Sequence, residues 1–101
     1  MVMLMIIMKE SLEEEVRELL RKHNVAAFTE VREVTGQGEA GATFHSLSWP
    51  GFNDLIFAAM QELDAQQLID ALVKFRDSTM EHQHGAKVPL RVFSLPCALV
   101  V

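Results

Sequence analysis

The residues that could do chemistry gather in two stretches. The first runs from Thr35 to Phe52 and holds Gly36, Gly38 and Gly41 within six positions, followed by His45, Ser46, Ser48 and Trp49. The second is His82-Gln83-His84-Gly85-Ala86-Lys87. Closely spaced glycines let a backbone approach an anion. No Lys-Ser or Lys-Thr follows them and the segment opens no helix, so a P-loop or a dinucleotide fingerprint is excluded. His45 beside two serines lacks the orienting group and oxyanion site that a nucleophile–base pair needs. With no nucleophile elbow and no paired-carboxylate motif, an enzyme is not expected. Trp49, in Ser48-Trp49-Pro50-Gly51-Phe52, either anchors its loop on the body or stacks on a ligand.

These stretches must be held by regular elements, and the pattern supplies the same unit twice. Met1–Met8 is an apolar run, Ser11–Asn24 reads as an amphipathic helix, and Ala26–Val34 is rich in β-formers. Asn53–Met60, Asp64–Met80 and Val88–Leu95 repeat that order. Ser11 with Glu14, and Asp64 with Gln67, have the spacing of capping boxes. Leu12, Val16, Leu19, Leu20 and His23 form the apolar stripe of the first helix, and Asn24 is its expected left-handed terminator. Leu68, Ile69, Leu72 and Val73 form that of the second. Two strand-helix-strand units in tandem give βαββαβ, the α+β ferredoxin-like sandwich with one antiparallel sheet and both helices on one face. A hairpin between the second and third strands needs only about 2–5 residues, so the 35–52 connection is either a binding element or an irregular excursion, and functional use is the expectation. The nearly continuous apolar strand Asn53–Met60 implies cover on both faces: helices on one, another subunit on the other.

The chain has 101 residues, half of them hydrophobic and 7% aromatic, with a net charge of −5. That length suits a single domain, residues 1–101. The apolar content leaves surface seeking a partner, and self-association is expected. The acidic balance gives no electrostatic footprint for nucleic acid or an anionic membrane. Val2–Met8 is too short to span a bilayer and lacks the flanks of a signal peptide, so it is read as a buried strand and no membrane insertion is expected. Cys97 is the only cysteine; it fits a reducing cytoplasm and reads as a small buried hydrophobe.

Beyond element order, two stretches carry a family likeness. "VREVTGQGE", leaving the second strand, and the terminal "RVFSLPCALVV", with its Phe-x-Leu-Pro ending, resemble the small trimeric PII-like signalling proteins. The resemblance implies three ferredoxin-like subunits whose sheets form a central core, with effectors in the clefts between subunits. It also implies a loop after the second strand that reports the ligand to a protein partner. By position, Gly36 and Gly38 match the glycines at the base of that loop. Gly85 and Lys87 match the glycine and lysine of the phosphate-binding loop before the last strand. The implied effector is a nucleotide or small anion. Ala40 and Gly41 replace the usual glutamine and lysine, the loop is shorter, and the chain has no tyrosine, so standard ATP and 2-oxoglutarate sensing is not implied.

A second likeness is to the CutA proteins, trimers of similar fold that bind copper or other divalent cations. His45, His82, His84, Cys97 and the six methionines are the soft or borderline ligands on offer. His82 and His84 lie on one face if their segment is extended, and they are the candidate copper or zinc ligands.

Overall fold

A computed structural model of the protein describes residues 1–35 and 52–101. The elements are β1 (Val2–Lys9), α1 (Glu13–Lys22), β2 (Thr29–Thr35), β3 (Phe52–Met60), α2 (Glu62–His82) and β4 (Leu90–Pro96), with a 3-10 turn at Glu10–Leu12 before α1. The sheet order is β2-β3-β1-β4, antiparallel throughout. This is the expected ferredoxin-like βαββαβ arrangement, with β1 and β3 at the centre.

The pleat explains why the apolar runs are nearly continuous. Successive side chains point to opposite faces of a strand, and in β1 the set Leu4, Ile6 and Met8 is fully buried. Ile6 sits opposite Ile56 of β3 and Val92 of β4. Against this face pack Val16 and Leu20 of α1 and Leu68 and Leu72 of α2, all within one core cluster. The alternate set faces away from the helices. There Met3, Met5, Leu55, Phe57 and Phe93 are half-buried, and Val31 and Leu95 are exposed.

Both helix starts differ from the capping-box expectation. Ser11 lies inside the 3-10 turn, and α1 begins after Leu12 with no side-chain cap. Glu13, Glu14 and Glu15 supply negative charge at the positive end of the helix instead. Likewise α2 starts at Glu62, so Asp64 is within its first turn, and Gln61 precedes it with no side-chain cap. Val73 is 39% exposed, at the edge of the buried stripe, and His23 is exposed at the C-terminal cap of α1.

The helix ends, by contrast, are formed alike. Asn24 has φ 58°, its N–H donates to the Arg21 carbonyl at 3.1 Å, and the Val25 N–H donates to the Leu20 carbonyl at 2.9 Å. This is a Schellman ending, and Val25 folds back onto the core as that motif favours. The end of α2 repeats it. The His84 N–H donates to Glu81 at 3.2 Å and the Gly85 N–H to Met80 at 2.9 Å, with His84 at φ 57° and Gly85 at φ 86°. Cys97, expected to be buried, is partly exposed, and its N–H donates to the Met1 carbonyl at 3.3 Å.

Candidate functional site

Gly36, Gly38, His45 and Trp49 fall outside the described residues, but the strand ends that hold their segment are described. Thr35 pairs with Phe52, and Lys9 of β1 pairs with Asn53. The 36–51 connection therefore leaves and rejoins the sheet at the end where β1 finishes. The α2–β4 connection, with His84, Gly85 and Lys87, lies at the same end. Met8 pairs with Leu90, and the Lys9 N–H donates to the Pro89 carbonyl at 3.1 Å. Because β2 and β4 are opposite edges of the sheet, the two connections are rooted about three strand spacings apart, roughly 14 Å. Within one chain, the two roots belong to opposite edges.

The root of the 36–51 connection is shaped by a bulge. Val31 pairs with Leu55 and Val34 with Asn53, so Arg32 and Glu33 together oppose Asp54. Glu33 adopts φ 55°, a left-handed conformation that costs a non-glycine residue about 1–2 kcal/mol. Asp54 compensates: its Oδ1 accepts the Glu33 N–H at 3.1 Å. A buried acid, 1% exposed, thus holds the backbone that leads into the connection. Next to it, the Asn53 side-chain amide donates to the Val34 carbonyl at 3.5 Å.

Around Asp54 stands a charged cluster under the start of α1. Arg17 donates to Glu30 Oε1 through Nε at 2.8 Å, and its Nη2 lies 2.7 Å from the same oxygen. The Arg32 Nη2 donates to Glu13 Oε1 at 2.7 Å. Carboxylate oxygens of Glu13, Glu30 and Asp54 lie within 4.8 Å of one another. The Glu13 carboxyl is held above its ordinary value of 4.5, first by its hydrogen bond to Asp54, then by burial and by the charge of Glu30, while Arg32 opposes the shift. Nothing in the sequence reading singles out this trio. The signal was one acidic residue in the otherwise apolar run Leu55–Met60 and its flank, at a register position that faces the helices.

At the other root the arrangement differs from the expectation for a metal site. His82 is the last residue of α2, and its Nδ1 lies 2.8 Å from the Ser78 carbonyl. His84 occupies the left-handed turn. The two histidines therefore do not share a face of an extended strand, because the helix runs two residues further than its apolar pattern marked. Gly85 has open space where a Cβ would sit, so it is its φ, not crowding, that requires glycine there. Lys87 is exposed beside it. An open groove of about 400 Å³ runs between α2 and β4, floored by Leu72 and Val92 and flanked by Arg76 and Arg91.

Four antiparallel strands under two helices, with a long β2–β3 connection rooted on a bulge, define a ferredoxin-like protein whose two candidate connections are rooted at one end of the sheet. The profile of the family described as nitrogen regulatory protein P-II matches residues 1–97, and the chain belongs to that family of regulatory proteins. Solved structures agree on the fold. CPII of Thiomonas intermedia K12, a nitrogen regulatory PII-like protein, bound to ADP, AMP and bicarbonate, has 19% identity and a TM-score of 0.60, over 99% of this chain and 94% of that one. The same protein bound to ADP, AMP and acetate has 20% identity and a TM-score of 0.61, over 93% and 82%. A PII-like signaling protein from Thermus thermophilus has 14% identity and a TM-score of 0.55, over 92% and 82%. Among curated proteins none matches the sequence significantly. No helix among the described residues is long and apolar enough to cross a membrane.

Proposed function

We propose that this PII-family protein is a ligand-responsive homotrimer of single-domain subunits that signals to a protein partner through its 35–52 connection. The observation that carries this reading is the placement of the two connections at one end of the sheet but on opposite edges. Neither edge alone surrounds a ligand. A neighbouring subunit that sets its β4 edge against this β2 edge would bring Gly85 and Lys87 toward Gly36 and Gly38. The apolar sheet face, with Met3, Met5, Phe57 and Phe93 half-buried, supports association through the side the helices leave uncovered.

The ligand we assign to that cleft is an adenine nucleotide or a small anion. The co-complexes of CPII with ADP and AMP support the class, and the left-handed turn at His84–Gly85 beside Lys87 has the backbone freedom and charge to take a phosphate. His45 and Trp49, on the connection itself, are assigned to ligand contact. Binding orders the connection and changes the surface offered to the partner. Fixing each residue costs roughly 1–2 kcal/mol of backbone entropy, so a ligand that contacts a few of them controls the balance. The protein acts by binding, not by catalysis, and its setting is the reducing cytoplasm.

Native mass spectrometry with ADP, AMP and ATP, paired with hydrogen exchange over residues 36–51, tests this reading. A trimer that retains nucleotide and slows exchange in that segment is the expected result. A monomer, or a trimer whose exchange is unchanged at saturating nucleotide, would sink it.

A further inference from the structure

The cluster under α1 is not used by this reading, and it is incompletely satisfied. The Glu30 side chain is 7% exposed and Asp54 is 1% exposed. Each keeps one buried oxygen, Glu30 Oε2 and Asp54 Oδ2, that takes part in no hydrogen bond. Glu30 Oε2 has only the Arg32 Nε at 3.5 Å. A buried carboxylate oxygen without a hydrogen-bond donor loses its hydration with little in return. Both residues belong to a single cluster with Glu13, which marks where positive charge is lacking. Arg17 and Arg32 match two of the three carboxylates, through Glu30 Oε1 and Glu13 Oε1. Asp54 has the Glu33 backbone N–H on its Oδ1 and, among the described residues, no arginine of its own beside the Glu13 carboxyl with which it shares a hydrogen bond.

We propose that Glu13, Glu30 and Asp54 form a binding site for one hard divalent cation, with calcium its best-fitting occupant. The donors are all carboxylate oxygens, the set that suits calcium, magnesium or manganese over copper or zinc. Oxygens within 4.8 Å of one another can all touch a single ion at about 2.3–2.6 Å, the calcium range. A proton bridging Glu13 and Asp54 would give Asp54 Oδ2 a partner but leave Glu30 Oε2 without one. An ion serves both. The side chain of Glu13, 18% exposed, is the way in from solvent, and water completes the coordination. Since Asp54 also holds the Glu33 N–H, the ion would tie the start of α1 to the bulge from which the 36–51 connection departs. This site is separate from the intersubunit cleft and stands without it.

Calorimetric titration of calcium chloride into chelator-treated full-length protein at about pH 7.5 tests the proposal, with thermal unfolding measured alongside. Saturation at one ion per chain and a rise in melting temperature are expected. Glu30→Gln should lower the affinity at least about ten-fold and abolish the rise. If Glu30→Gln does not fold, Glu13→Gln, at the partly exposed helix start, serves the same comparison. Neither heat nor a melting shift in wild type at millimolar calcium, the weak limit for such sites, would overturn the proposal and leave the cluster holding a proton. Equal affinity in wild type and the variant would overturn it as well.

Discussion

The two faces of the central strands are built from the same residue types and end up in different states. Toward the helices, Leu4, Ile6, Met8 and Ile56 lose all contact with solvent. Toward the open side, Met3, Met5, Leu55 and Phe57 of the same two strands remain half-buried. The single-residue step from Leu4 to Met5 moves a side chain from a completed interior to an unfinished one, and of the open-side positions in β1 Ile7 is the one that is itself buried, at 4% exposure. The first face folds the subunit; the second is the one we propose assembles it. The difference also accounts for composition, since a chain of this length with half its residues hydrophobic has more apolar surface than two helices can cover.

The sharpest way to break this comparison is to substitute matched positions on the two faces. Ile6→Ala removes three buried carbons beside Ile56 and Val92 and should cost about 2–5 kcal/mol in denaturant unfolding. Met5→Ala, one residue away, should cost about 1 kcal/mol or less in the dissociated chain, while shifting assembly to higher protein concentration. Phe57→Lys should abolish assembly in sedimentation while leaving the far-ultraviolet circular dichroism of the subunit intact. Equal losses at Met5 and Ile6 in the dissociated chain would mean that the open face is also part of the subunit's own core.

A second, smaller contrast lies along the helix-covered face itself, apolar at its middle and charged at the end where the bulge sits. Asp54→Ala leaves the Glu33 N–H without its acceptor and should destabilise by about 1–3 kcal/mol. Asp54→Asn keeps a carbonyl for that N–H and should recover part of the loss. No recovery in the asparagine variant would mean that Asp54 matters for its charge alone.

The same end carries a pH dependence whose sign follows from Glu13. Its folded value is raised above the ordinary 4.5, so the stabilisation from its bound proton is complete below that value and is lost as pH rises through the raised one. Metal-free wild type should therefore fall in melting temperature relative to Glu13→Gln as pH climbs through that window. Parallel profiles for the two proteins would remove Glu13 from the account.

What the sequence disclosed follows the same division. Period-two and helical patterns identified all six elements, and the left-handed Asn24 was legible because a small polar residue closes the apolar stripe of α1. The capping boxes were misleading: spacing alone does not reveal that Glu10–Leu12 would wind into a 3-10 turn or that α2 would start at Glu62. His82 looked like a loop residue because the apolar stripe of α2 fades after Met80, although backbone hydrogen bonding continues to His82. The Glu13–Glu30–Asp54 cluster was hidden because its members are 17 and 24 positions apart along the chain, and only the β2–β3 register with its bulge brings them together.

The finest comparison is between the two Schellman endings, which share hydrogen bonds but differ in the residue at the left-handed position. Asn24 is of a residue type that tolerates φ near +58° better than most; His84 at φ 57° carries the larger imidazole and bears a Cβ penalty. His84→Gly should therefore stabilise the isolated subunit by a few tenths to about 1 kcal/mol, whereas Asn24→Gly should be close to neutral. Denaturant unfolding of the two variants against wild type decides the matter. A gain at position 84 without loss of nucleotide binding would show that the histidine is not a ligand contact. A gain accompanied by weakened binding would show that strain at this turn is retained for the cleft it borders.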